Sequence, residues 1–297
     1  MRARGSKRLQ SAMEYLMTYG WAILIIAVVL GALFQLGVFN AGTFAPHAPP
    51  GACQVLRPNG PNTATYVNLE GVCSGELPQY VAQFNGGADV VVSSTGAFPS
   101  GANPRTVTGW FLSTSSSLPS SGEMLFFYGT TCTTCAFAGW IGNGCSNPTY
   151  SVVLDTWGCT DVSATQTGPN TWTFFADVYD GSNKIEYVGL SGRVYSASVA
   201  NTISTTSQTS FDIATGGGNP YLTGFIANIQ VYNTSLTSSE VNALYVEGIG
   251  GAPIKLDNLV GWWPLNGNAN DYSGNNNNGV PSGVSYTNQW VSGYTPP

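Results

Sequence analysis

Side chains that can recognise sugars occur in two parts of this sequence. The loop 268–278 is rich in amide and acidic side chains, and two tryptophans lie beside a cysteine cluster. Aromatic rings stack on the C–H faces of sugars, while a few placed polar groups bind hydroxyls. The candidate ligand-binding residues are therefore Asn268, Asn270, Asp271, Asn275, Trp140 and Trp157, with both tryptophans expected to be exposed. The alternative for each is structural: an Asn-Gly-rich loop is usually a turn, and a tryptophan in a sandwich is usually core.

One kind of metal chemistry is open to the residues of this loop. Asp271 with nearby Asn carbonyls could supply a weak calcium site, although no EF-hand spacing is present. Calcium is the one cofactor left open. The single histidine, His47, lies outside the expected folded domain, so a Ser-His-Asp triad or a multi-histidine zinc site is not expected.

Carboxylates are too sparse to favour hydrolysis. Glycoside hydrolysis needs two facing carboxyl groups about 5–9.5 Å apart. Asp177, Asp180 and Glu186 straddle a predicted hairpin and are not expected to share a strand face. We therefore predict a non-enzymatic protein, with a surface glycoside hydrolase as the alternative.

Six cysteines follow the first fifty residues, and an even number outside a membrane implies disulfides. Cys53 and Cys73 form the natural local pair. The other four lie within 28 residues and are expected to pair among themselves: Cys132, Cys135, Cys145 and Cys159. A four-thiolate zinc site is the minor alternative for that cluster.

Charged residues are scarce in this chain and unevenly distributed along it. Only 8% of the 297 residues are charged, and four of the nine basic residues precede residue 9. The remaining chain carries a net charge of −10, which argues against nucleic-acid binding. Residues 15–39 contain no charge and no proline. This stretch is long enough for a helix that spans a bilayer, and the basic residues before it predict that the N-terminus lies in the cytoplasm.

The segment Lys7-Arg8-Leu9-Gln10-Ser11-Ala12-Met13-Glu14-Tyr15 resembles the class III signal peptide of archaeal type IV pilin-like proteins. The resemblance implies cleavage by a prepilin peptidase before Gln10. It also implies that Glu14, fifth in the mature chain, neutralises the N-terminal amine of a neighbouring subunit in a filament. Leu9 replaces the small residue usual before the cut. A plain membrane-lipid anchor is the alternative.

The chain beyond residue 60 shows short runs of β-branched and aromatic residues divided by turn residues, which predicts an all-β sandwich. Asp180-Gly181 predicts a hairpin turn. Thr237 and Glu240 form a capping box that predicts one short helix, expected to plug an end of the sandwich.

Four stretches (84–90, 107–110, 172–180 and 224–233) resemble LamG-like, concanavalin A-like jelly rolls. The resemblance implies glycan, glycoprotein or calcium binding through loops. The segment 259–275 resembles the opening strand of that family but lies near the C-terminus, so we expect it to pack back onto its own domain.

The predicted organisation is a basic leader (1–9), a transmembrane or pilin-type helix (10–39), a Pro/Gly linker (40–51) and a jelly-roll sandwich (52–297). The predicted protein is displayed on the cell surface for adhesion or glycan binding. A purely structural envelope subunit is a further alternative. Asn233 begins the only N-glycosylation sequon.

Overall fold

The computed structural model describes Met17 and residues 19–31, 51–60, 63–71, 77–93, 95–142, 149–158, 161–207 and 210–297. For residues 51–71 the description covers the backbone alone. The chain divides into two compact units, Met1–Pro49 and Pro50–Pro297.

In the first unit, residues 19–31 form helix α1. Apolar side chains such as Trp21 and Ile25 are exposed on it, by 66% and 58%. Within the described part of the chain, no helix combines the length and the apolar character that a membrane crossing requires. Gln10 and Glu14 lie outside the described residues, so their roles in processing and assembly stay predictions.

The second unit begins with a small sheet. Strand β1 (Gly51–Gly60) pairs antiparallel with β2 (Thr63–Gly71) and parallel with the short β3 (Leu77–Pro78).

Two larger antiparallel sheets follow and form the sandwich. The eight-stranded sheet has the order β12-β11-β10-β6-β14-β4-β17, with β15 also paired to β14. Its strands are β4 (Val81–Asn85), β6 (Arg105–Ser113), β10 (Thr173–Tyr179), β11 (Asn183–Leu190), β12 (Arg193–Ala200), β14 (Thr223–Tyr232), β15 (Leu259–Trp263) and β17 (Ser285–Thr287).

The six-stranded sheet has the order β16-β5-β13-β7-β8-β9. Its strands are β5 (Asp89–Val92), β7 (Glu123–Gly129), β8 (Ala136–Gly142), β9 (Ser151–Asp155), β13 (Phe211–Ile213) and β16 (Gly279–Ser282). The predicted all-β sandwich is therefore confirmed.

The main core lies between the two sheets, and strand alternation decides which side chains enter it. On β10, Phe175 and Tyr179 belong to this inner core, whereas Phe174 and Val178 point to the outer face. The outer face of the eight-stranded sheet is also covered, so every residue of β10 is buried.

Helix α2 (Ser238–Glu247) provides much of that cover. The capping box at Thr237 and Glu240 is present, and Tyr245 stacks on Trp110 with ring centroids 5.7 Å apart. The helix lies on the outer face of the eight-stranded sheet through Val241, Leu244 and Tyr245. The expectation that it plugs an end of the sandwich is therefore wrong, because its apolar side packs on the outer face of this sheet, against the buried Trp110.

The C-terminal segment joins both sheets. Strand β15 pairs antiparallel with β14 of the same chain, with Trp263 opposite Ile229. Strand β16 then pairs with β5 in the other sheet, and β17 returns to pair with β4. Further on, the Trp290 carbonyl accepts a hydrogen bond of 2.9 Å from Nε1 of Trp172.

Candidate functional site

The Asn-rich loop after β15 is organised around Asp271, which is fully buried. Its Oδ1 accepts hydrogen bonds from the backbone N–H groups of Trp262 and Ser273, each 2.9 Å long. Its Oδ2 accepts from the Ser273 hydroxyl and the Asn277 N–H, also at 2.9 Å. Both carboxylate oxygens are therefore occupied by hydrogen bonds that hold the loop in its conformation. Across the described part of the chain, no group of three His, Cys, Asp or Glu side chains is placed to hold a metal ion.

The amides of this loop make similar local contacts. Asn268 accepts from the Asn270 N–H at 2.9 Å and donates to the Tyr272 hydroxyl at 3.1 Å. The exposed Asn275 donates to the carbonyls of Leu259 and Val260 at 3.1 and 3.3 Å. These contacts fix the loop to β15, and the ligand-binding role of the four residues stays a prediction.

The two tryptophans lie on the outer side of the six-stranded sheet. Trp140 is only 5% exposed and packs with Met124 and Val153, so the expectation of an exposed ring is wrong. The ring also lies against the backbone of Gly122 and Gly142, which leave no room for a Cβ, and this packing explains the burial. Trp157 is half-buried, with its ring centroid 5.8 Å from that of Phe127.

One disulfide is described, between Cys132 and Cys135. The four-thiolate zinc alternative is wrong for this cluster, because two of its thiols are bonded to each other. Cys145, Cys159 and Cys73 lie outside the described residues, and the side chain of Cys53 does too.

The sequon residue Asn233 is exposed directly after β14. Its Oδ1 accepts a hydrogen bond of 2.9 Å from the Asn258 amide. Glycosylation there stays a prediction.

A pocket that the sequence did not reveal opens at one end of the sandwich, between the β5–β6 and β12–β13 connections. Its volume is about 140 Å³. We call it the end pocket, and it is lined by Thr95, Gly96, Phe98, Pro99, Ser100, Tyr128, Thr206 and Ser207. The lining combines two aromatic rings with several hydroxyl groups. Because these residues come from separate loops and one strand, no local motif marks them.

The buried Arg105 holds the floor of the end pocket together. Its guanidinium donates to the Tyr128 hydroxyl at 2.7 Å and to the Pro99 carbonyl at 3.1 Å. The Tyr128 hydroxyl in turn donates to the Pro99 carbonyl at 2.9 Å. Burial raises the pKa of Tyr128 to about 12, although the Arg105 charge opposes that rise. The phenol therefore stays a hydrogen-bond donor at neutral pH.

Arg105 also fixes the loop that forms one wall. It donates to the carbonyls of Gly101 and Asn103 at 2.7 and 2.8 Å. Phe98, in the same loop, packs edge-on against Tyr128 with ring centroids 6.0 Å apart. The loop is thus set in place before any ligand arrives, which reduces the ordering cost of binding.

The disulfide turn supports the opposite wall. The carbonyls of Thr134 and Cys135 accept hydrogen bonds from the N–H groups of Ser204 and Thr206, at 2.9 and 3.2 Å. The Thr130 and Thr206 hydroxyls lie 3.0 Å apart and hydrogen-bond to each other. The wall that contains Thr206 is therefore held by the chain around Cys132–Cys135.

A second polar group lies inside the sandwich. Asp177 of β10 is directly opposite Glu186 of β11 in the antiparallel ladder, and directly opposed residues point to the same face. The expectation that these carboxylates do not share a face is therefore wrong, because the hairpin register pairs them. Both are fully buried, so a polysaccharide has no access to them in this structure.

No family model and no curated protein matches the chain. Among solved structures, a proposed carbohydrate binding protein from Bacteroides ovatus is similar, with a TM-score of 0.53 and 16% identity. The match covers 75% of this chain, which spans 63% of that protein's length.

Two further structures show weaker likeness. A SAP-like pentraxin from Limulus polyphemus has a TM-score of 0.45 and 13% identity, covering 70% of this chain and 94% of the pentraxin. The LG1-3 region of the laminin alpha2 chain has a TM-score of 0.41 and 17% identity, covering 56% and 33% of the two chains. At these identities the comparisons establish the sandwich fold alone, and that conclusion rests on the Bacteroides structure.

Proposed function

We propose that this protein is a non-enzymatic surface protein whose sandwich binds a saccharide in the end pocket. The observation that carries the proposal is the composition of the lining: the Phe98 and Tyr128 rings beside the hydroxyls of Ser100, Thr206 and Ser207. The half-buried Phe98 ring offers an apolar surface to the C–H groups of a sugar, the buried Tyr128 closes the floor, and the hydroxyls orient the ligand.

The size of the end pocket restricts the ligand. At about 140 Å³ it is smaller than the roughly 300–1,000 Å³ of pockets that take drug-sized molecules. We therefore propose a single sugar unit, at the end or on a branch of a longer glycan. The fold likeness to a proposed carbohydrate binding protein supports this function.

Display at the cell surface belongs to the same proposal. The pilin-like segment around Gln10 and Glu14 would hold the protein in a membrane or a filament, and a short Pro-rich stretch would separate it from the sandwich. We propose binding without hydrolysis, because the paired carboxylates Asp177 and Glu186 are closed to solvent.

The test is a glycan array probed with the full-length chain in detergent, followed by titration of the glycans it retains. Gly96 lines the end pocket, and a Cβ there would meet nothing within 4 Å. Gly96→Trp should therefore fold and fill the opening, abolishing binding. Gly168→Trp is the matched control, because Gly168 lies outside the pocket and is equally unobstructed. An array without a retained glycan, or equal binding by Gly96→Trp, would overturn the proposal.

A further inference from the structure

Arg105 is a buried cation without a counter-charge in the described part of the chain. Its side chain is 0% exposed, and no described carboxylate lies within 4.0 Å of its guanidinium. All the groups that accept its hydrogen bonds are neutral: the Tyr128 hydroxyl and the carbonyls of Pro99, Gly101 and Asn103. A buried charge is normally paired, because its burial is otherwise costly. A bound anion could therefore compensate the charge of Arg105.

The surroundings of the guanidinium direct its field towards the end pocket. Its central carbon lies 5.8, 5.6 and 5.8 Å from the ring centroids of Tyr128, Phe137 and Tyr179. Walls of low dielectric constant concentrate the field of a charge in an adjoining cleft. Tyr128 and Pro99 both line the end pocket, and the guanidinium donates to them at 2.7 and 3.1 Å. The charge thus lies directly behind the pocket floor.

The acid that follows the ladder partner of Arg105 does not provide the missing charge. Tyr179 is opposite Arg105 in the pairing of β10 with β6, and Asp180 comes next in the chain. Asp180 is exposed, and its carboxylate accepts hydrogen bonds from the N–H groups of Ser182 and Asn183 and from the Asn183 amide. This carboxylate therefore holds its own turn and is surrounded by solvent, which screens it from the buried cation.

The lining of the end pocket suits an anion. None of the described residues that line it is acidic, so no carboxylate there repels a negative charge. The hydroxyls of Ser100 and Ser207 make no hydrogen bond within the described part of the chain. The Thr206 hydroxyl, in contrast, bonds to that of Thr130. Two hydroxyl groups are therefore available to donate to a charged acceptor, and such bonds are stronger than those to a neutral one.

We propose that the sugar unit bound in the end pocket is acidic, and that its negative group lies on the pocket floor as the counter-charge of Arg105. This inference rests on the proposed function, because it requires that the end pocket binds a sugar. Ser100 and Ser207 donate to the anion, and the Phe98 ring covers C–H groups of the sugar. Arg105 acts through its charge, from behind the lining. A carboxylate, as in a hexuronic acid, is the compact anion that suits about 140 Å³.

The test is calorimetric titration of the full-length chain in detergent with sugars that differ in charge. The matched pairs are methyl glucuronide with methyl glucoside, methyl galacturonide with methyl galactoside, and N-acetylneuraminic acid with its methyl ester. In at least one pair the acid should bind about tenfold or more tightly, as expected for one partly buried charge pair. Glucose 6-sulfate is the comparison for a different anion.

The outcomes separate this inference from the proposed function. Equal affinity within every pair that binds would overturn the acidic ligand and leave saccharide binding intact. No binding by any acidic or neutral sugar would overturn both. Tighter binding of glucose 6-sulfate than of every carboxylate sugar would support the counter-charge and overturn the choice of a carboxylate.

Variants test the charge at the pocket directly. Ser100→Asp places a negative charge in the lining, so the acidic sugar should lose about tenfold or more in affinity, while the neutral sugar loses less. Ser100→Asn is the matched control, because it has the same size without the charge and should keep the preference. Ser117→Asp adds the same charge at an exposed serine outside the pocket and should also keep it. An undiminished preference for the acid in Ser100→Asp would overturn the proposal.

A further variant removes the cation itself. Arg105→Met, where it folds, should bind the acid and the neutral sugar of a pair with equal affinity. A preference that persists in the folded Arg105→Met protein would show that Arg105 does not provide the charge. If this variant does not fold, the comparison of Ser100→Asp with Ser100→Asn decides the proposal.

Discussion

The guanidinium of Arg105 donates a 2.7 Å hydrogen bond to the hydroxyl of Tyr128 beneath the end pocket. Arg105 is fully buried and Tyr128 is 3% exposed. The pair joins the start of β6 to the end of β7, and Arg105 also holds the β5–β6 loop through carbonyl acceptors. The buried charge of Arg105 therefore stabilises the fold and also forms the floor of the end pocket.

Removing that cation should both destabilise the fold and weaken ligand binding. Arg105→Met leaves the Tyr128 hydroxyl and the Asn103 carbonyl without their arginine donor. It also removes one of the two donors to each of the Pro99 and Gly101 carbonyls. We expect the free energy of unfolding to fall by about 3 kcal/mol or more, because hydrogen bonds to a charged group contribute roughly 1.5–3 kcal/mol each. Denaturant unfolding measures it. Arg193→Met, at an exposed arginine, is the control, and equal losses in the two variants would contradict this role.

The raised pKa of Tyr128, about 12, predicts a pH dependence of stability. The folded state favours the neutral phenol, so its contribution is complete below the unfolded value near pH 10 and is lost as pH rises towards 12. Tyr128→Phe should therefore cost less stability at pH 11 than at pH 9. The difference approaches about 3 kcal/mol only once ionisation is complete. Denaturant midpoints of both proteins at the two pH values check this, and a cost that grows with pH would contradict it.

Asp271 should matter for stability and not for calcium. Asp271→Ala removes the acceptor of four hydrogen bonds and leaves buried N–H groups unpaired, so the free energy of unfolding should fall by about 3 kcal/mol. Asp257→Ala, at an exposed aspartate, should change it little. Because both Asp271 oxygens are already occupied, calcium should leave the thermal midpoint of the wild type unchanged. A calcium-dependent rise that Asp271→Ala abolishes would show instead that the loop is a metal site.

Strand and helix positions were predictable because their signals are local. The β10–β11 hairpin forms around Asp180, whose Oδ1 accepts from the N–H groups of Ser182 and Asn183 at 2.8 and 2.7 Å. The capping box of α2 is equally local. The apolar alternation of β14 likewise depends on neighbouring residues only, and each feature occurs where the sequence places it.

The register of paired strands and the contacts between distant loops were not predictable, because both depend on how the whole sandwich packs. A one-residue shift of the hairpin would have put Asp177 and Glu186 on opposite faces, and the turn residues alone do not choose between the two. The residues around Trp140 in the sequence do not show whether its ring is buried or exposed. The end pocket brings Phe98, Tyr128 and Thr206 together from separate segments, and no spacing in the sequence encodes that.

The Cys132–Cys135 disulfide should control the end pocket more than the whole fold. Its loop is short, so the chain-entropy model gives it about 2 kcal/mol of stability. The turn nevertheless holds Thr206 in place, through the Cys135 carbonyl, which accepts a hydrogen bond from its N–H, and the Thr130 hydroxyl, which hydrogen-bonds to its hydroxyl. In the double variant Cys132→Ser/Cys135→Ser, the affinity for any glycan found on the array should fall, while the sandwich stays folded by circular dichroism. Ser117→Ala, at an exposed serine of another connection, should leave the affinity unchanged. Undiminished affinity in the double variant would show that the wall of the pocket holds without the disulfide.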